Sequence, residues 1–155
     1  MAMNENVIAA ERFNPQLRNA LAAILDTMIP ADSEFSAPSA GSEAIVNDVI
    51  QTMTGSSADE IVDLLRTLQE THGKPFNELD DEDRWRVFVD LERSNPHTLR
   101  VLGGLALQCY YRNDETLVSL GMEARTPFPL GHKVADGDWS LLNPVRARGK
   151  IYREV

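Results

Sequence analysis

Apolar residues recur every three or four positions in five successive stretches, each bounded by a capping residue, a proline or a glycine. In "NPQLRNALAAILDTMIP", Leu17, Leu21, Ile24, Leu25 and Met28 share one helical face. Asn14 is the expected N-cap, Pro15 takes the first helical position, where its missing N–H costs nothing, and Pro30 stops the run. "ADSEFSAPSAGS" reads as a loop, with Ser42 poised to cap a second helix through Ile45, Val46, Val49, Ile50 and Met53 and Gly55 as its end. "SADEIVDLLRTLQETHG" carries a capping box, Ser57 to Glu60, ahead of a stripe of Ile61, Leu64, Leu65 and Leu68, with Gly73 just past its end.

"LDDEDRWRVFVDLERSN" repeats the logic. Asp80 can cap, the acids behind it complement the positive end of the helix dipole, and Trp85, Phe88, Val89 and Leu91 supply the apolar side. Asn95-Pro96 opens a fifth helix with Leu99, Leu102, Ala106, Cys109 and Tyr110 on its inner face, so at most one of Tyr110 and Tyr111 is deep in the core. Gly103-Gly104 inside it costs about 1 kcal/mol per glycine relative to alanine, which points to close approach of another backbone. A short turn around Glu115–Leu120 ends at Gly121. No alternating β-branched run is bounded by turns. The expected fold is all-α, a bundle or array of about five helices over residues 1–121.

Beyond residue 121 the beat stops. Phe128, Trp139, Leu141, Leu142, Ile151 and Tyr152 follow no period of two or of 3.6, so residues 122–155 read as a long irregular C-terminal arm of the same domain. Charge divides the same way. Residues 1–121 hold 9 Lys and Arg against 20 Asp and Glu, a net −11, whereas residues 122–155 hold 6 against 4, a net +2.

The overall charge of −9 argues against a nucleic-acid binder. No stretch approaches the roughly 18 apolar residues needed to cross a bilayer, and the opening "MAMNENVIAAERFNPQ" does not read as a secretory or twin-arginine signal, so the cytoplasm is the expected setting. One cysteine, Cys109, leaves no internal disulfide and no CxxC site, and it reads as a small buried hydrophobe. The "DDED" and "SADE" clusters read as helix N-termini. His72 suits a helix C-terminus, and His97 suits the surface of a first turn. His132, with Asp136 and Asp138 downstream, allows a weak metal-assisted alternative. Nothing assembles an acid, a base and a nucleophile, so the chain reads as non-catalytic when alone.

A structureless run this long is usually functional or disordered, yet Phe128, Trp139 and Tyr152 are anchors that prefer burial. Alone they bury too little to offset the entropy of fixing the arm. It must order against an extensive surface: its own body's, a partner's, or both.

"LAAILDTMIPAD", "CYYRNDETLVSLGM" and above all "PFPLGHKVADGDWSLLNPVRARGKIYREV" resemble the small-subunit family of gluconate 2-dehydrogenase, subunit 3. The resemblance implies a helical, cofactor-free subunit that binds and stabilises a larger FAD-bearing chain of the glucose–methanol–choline oxidoreductase type. The flavin and the catalytic chemistry would belong to that partner, in a cytoplasmic two-subunit enzyme acting on sugars or related alcohols. The arm would lie along the catalytic chain, with Phe128, Trp139, Leu142 and Tyr152 as apolar anchors and Arg146 and Arg148 as charge-assisted donors. The competing reading is a stand-alone helical module that binds a small ligand between its helices and wraps its own tail.

Overall fold

The computed structural model describes residues 12–71, 74–125, 128, 129, 131 and 135–151. Among them are seven α-helices and no strand. We label the helices α1 (Pro15–Met28), α2 (Glu43–Thr52), α3 (Gly55–Thr71), α4 (Asp81–Ser94), α5 (Pro96–Tyr110), α6 (Asp114–Ser119) and α7 (Asn143–Ala147), with 3-10 turns at Phe76–Glu78 and Trp139–Leu142. The expected all-α class holds. The chain divides into two units, Met1–Arg125 and Thr126–Val155.

In the first unit α1 is the central strut. It packs on α2, α3, α4, α5 and the first 3-10 turn. Its stripe explains why: Leu21, Ile24 and Leu25 are buried, Ala20 lets neighbours come close, and Met28 is partly covered. Asn14 caps it as expected, its Oδ1 accepting from the Leu17 N–H at 2.8 Å. The stripes of α2, α3 and α5 all meet this strut, with every apolar position expected on those faces buried. Phe76 plugs the core from the 3-10 turn. Each such Leu, Ile or Phe contributes about 1.5–3 kcal/mol relative to exposure.

Several local expectations are corrected. Ser42 sits at the N-cap of α2 but its side chain makes no capping bond. Gly55 opens α3 instead of closing α2, which already ends at Thr52. Ser57 therefore lies inside the first turn and Asp59 and Glu60 beyond it, so "SADE" is not the helix N-terminus. On α4 only Leu91 is buried. This outer helix covers its neighbours with Val87, Phe88 and Leu91, while Trp85 stays exposed and stacks on Phe88 at 5.8 Å. Asp80 does cap α4, accepting from the Asp83 N–H at 2.9 Å. Among the described residues Gly103 and Gly104 mark no close approach, because a Cβ built on either meets nothing within 4 Å. His72 and Gly73 lie outside the described residues.

The first unit runs past Gly121 for a clear reason. Gly121 adopts φ +72, its N–H donates to Val118 O, and the Met122 N–H donates to Leu117 O at 2.9 Å, a Schellman closure of α6. The second unit is not irregular throughout. Its 3-10 turn and α7 run on without a break over residues 139–147, with Asp138 Oδ1 accepting from the Ser140 N–H at 2.9 Å and Pro144 near the start of α7. Trp139, Leu142 and Val145 recur every three residues in that stretch, a short-period signal that the wider spacing of the tail's aromatics conceals.

Candidate partner-docking surfaces

Two surfaces carry exposed large apolar side chains. The first lies in the second unit and carries the anchors expected from sequence. Trp139 and Leu142 bracket the 3-10 turn, Arg146 lies in α7 and Arg148 follows it. Every described residue of this unit is exposed, including Phe128 at 86% and Trp139 at 70%. A helical stretch held by Asp138 brings Trp139, Leu142 and Arg146 into one small hook. Hydrogen bonds from Ser140 hold the Asp138 carboxyl below its ordinary pKa. Tyr152 and His132 lie outside the described residues. Among the described residues no group of three His, Cys, Asp or Glu is placed to hold a metal ion.

The second surface, which the sequence reading missed, lies on the first unit. The loop after α1 folds tightly: Asp32 and Ala37 exchange backbone hydrogen bonds at 3.0 and 2.8 Å, and Asp32 Oδ1 accepts from the Glu34 N–H at 2.8 Å. Ser36 takes φ 52, and the loop holds Phe35 outward at 64% exposure. Gly41 closes it against α1, where a Cβ would stand 2.4 Å from the Ala22 carbonyl oxygen. Facing this loop is the α5–α6 corner. Asn113 Oδ1 accepts from the N–H groups of Glu115 and Thr116 at 3.0 and 3.2 Å and so starts α6. Val118, Leu120 and Met122 remain exposed beyond it. Phe35 and Ser36 together with Asp114, Glu115, Val118 and Ser119 line a groove of about 580 Å³. A lone aromatic inside a Ser/Ala/Pro loop was the available signal.

The corner is pinned from below. Arg112 donates from its Nε and a terminal nitrogen to the two Asp48 carboxylate oxygens, and it also donates to Thr52 Oγ1. The Asp48 carboxylate holds the Arg112 proton still more firmly than usual. Cys109 is fully buried beside them, and burial pushes its thiol pKa up. Tyr110 is buried too, and desolvation, with Tyr111 and Asp32 nearby, raises its pKa. Neither group is poised as a base or nucleophile. Among the described residues no strand leads into a glycine-rich helix N-terminus, the cradle a dinucleotide pyrophosphate uses in doubly wound folds.

A family model described as gluconate 2-dehydrogenase subunit 3 matches residues 15–123. The chain belongs to the gluconate 2-dehydrogenase subunit 3 family. No curated protein and no solved structure matches the chain. The subunit 3 match begins at the first residue of α1 and ends just after the Schellman closure at Met122. Membership thus rests on the helical unit, and the ending that looked most distinctive in sequence lies beyond the matched range. Both other resembling stretches, "LAAILDTMIPAD" and "CYYRNDETLVSLGM", lie inside it and contribute to the walls or supports of the groove.

Proposed function

We infer that this subunit 3 chain is a non-catalytic small subunit that binds and stabilises a large FAD-dependent dehydrogenase of the glucose–methanol–choline type. Its substrates would be sugars or related alcohols. Flavin and hydride chemistry are assigned to the partner, and no chemical step is routed through this chain. One observation carries the reading: the second unit presents Phe128, Trp139, Leu141 and Ile151 to solvent with no buried residue among those described. Several exposed large apolar side chains in a segment that also carries Arg146, Arg148 and Lys150 are the composition of an interface, where aromatic and Arg anchors dominate the energetics. The Asp138-capped hook lowers the ordering cost of docking, because part of the bound shape exists beforehand.

Terminating the chain after Arg125 tests this. We expect the shortened protein to keep its helical circular dichroism and to lose stoichiometric co-purification with the co-expressed flavoprotein. If it still co-purifies in full and supports full activity, the arm is not the docking element.

A further inference from the structure

The groove between Phe35 and Val118 is the strongest unassigned feature of the first unit. Phe35 and Val118 are 64% and 62% exposed although both line one preformed concavity. Leaving two large apolar side chains wet forfeits the stabilisation that burying them would give. Rigid local bonding enforces that exposure. The Asp32–Ala37 bridge fixes the loop, and the Asn113 cap and Schellman closure fix α6. The charged residues that line the groove are both acidic. Asp114 and Glu115 line the groove and Glu34 precedes Phe35, and among the described residues none of the three forms an ion pair. The dipole of α6 accounts for acids in its first turn, but not for the apolar pair they flank.

Building on the subunit reading, we propose that this groove is a second docking site, which receives an apolar side chain flanked by Lys or Arg from the large flavoprotein subunit. Two lines select that occupant. The groove lies inside the matched range 15–123 whereas the arm does not, so the part of the chain that defines it as a subunit has this surface for contact. The unpaired acidic rim complements a basic segment and repels an acidic one, which sets choice of partner segment and encounter rate.

The test places the photo-crosslinking residue p-benzoylphenylalanine at Val118 or, separately, at Leu141 in the arm. Each full-length variant is co-expressed with the large FAD-dependent chain of the same genome and the purified complex is irradiated. We expect the Val118 probe to attach to the large chain within four residues of at least two Lys or Arg. We also expect D114N/E115Q to cut that yield at least about fivefold while leaving the helical circular dichroism unchanged. An arm adduct without a Val118 adduct overturns the groove assignment and leaves the subunit reading intact. A Val118 adduct confined to this chain or a second copy, or one on an acidic segment, overturns it as well. Absence of any shared flavin-coloured fraction fails the subunit reading itself, and the groove assignment with it.

Discussion

Gly41 lies so close under the Ala22 carbonyl that a methyl group there would stand 2.4 Å from the oxygen. Ser39 completes the contact, its Oγ donating to Asp26 Oδ1 at 2.5 Å and accepting from the Gly41 N–H at 2.9 Å. The loop that displays Phe35 is therefore sutured to the central helix at its far end.

Two glycine-to-alanine substitutions should then move stability in opposite directions. Gly41→Ala forces backbone to shift, and overpacking against a carbonyl costs about 1–3 kcal/mol. Gly104→Ala, in the interior of α5 with nothing within 4 Å, gains about 1 kcal/mol of helix propensity. At about 2–4 °C per kcal/mol for a chain of this size, the two thermal midpoints should separate by several degrees around wild type. Equal destabilisation by both would show that Gly104 does contact other backbone.

The same pair marks what was legible in sequence. Periodicity placed the inner faces of α1, α2, α3 and α5, since a buried stripe must recur with the helical repeat. It misjudged α4, whose Trp85 fits the pattern but stays exposed while stacking on Phe88, because a pattern does not reveal how many neighbours cover a helix. Gly103-Gly104 looked like a contact and Gly41 did not, because close approach is a property of three-dimensional packing. The groove stayed hidden for a related reason: Phe35 and Val118 are about 80 positions apart in the chain, and only the folded loop and corner bring them together. The arm's anchors were visible as types of residue, while the helical hook beneath them was not.

Arg112 should matter through its geometry more than its charge. Its planar fork spans both Asp48 oxygens and Thr52 in one fixed geometry, which a point-like ammonium does not match. Because both partners are partly exposed, solvent screening limits the pair to about 1 kcal/mol or less. We expect Arg112→Lys to recover less than half of what Arg112→Met loses in urea unfolding, and a double-mutant cycle with Asp48→Asn to return most of that loss as coupling. Full rescue by lysine would reduce the contact to simple charge attraction.

Cys109 offers a check on the core. Its side chain is fully buried and its thiol pKa is raised, chiefly by that burial, so almost no thiolate exists at neutral pH. The native protein should react with Ellman's reagent at least about a hundredfold more slowly than the same chain in strong denaturant. Fast reaction of the folded chain would mean that the α2–α5 contact opens readily.

The arm's hook should respond to acid in a defined direction. Asp138 is ionised when it accepts the Ser140 N–H, and its pKa in the folded chain lies below the ordinary 3.8. A carboxyl held low stabilises its fold fully above its unfolded pKa, and that contribution disappears as pH falls through the lowered folded value. Between about pH 5 and 8, where a carboxyl held below the ordinary Asp value stays ionised, the Ser140 amide should therefore keep a constant chemical shift and a constant protection factor. Protection relative to an unstructured amide at the same pH should fall only below about pH 4. Asp138→Ala should remove that transition and leave Ser140 unprotected at every pH, whereas Asp138→Asn, still an acceptor, should keep the protection without the acid step. If Asp138→Ala leaves Ser140 as protected as wild type, the cap does not hold the hook, and the pre-organisation assigned to the arm fails with it.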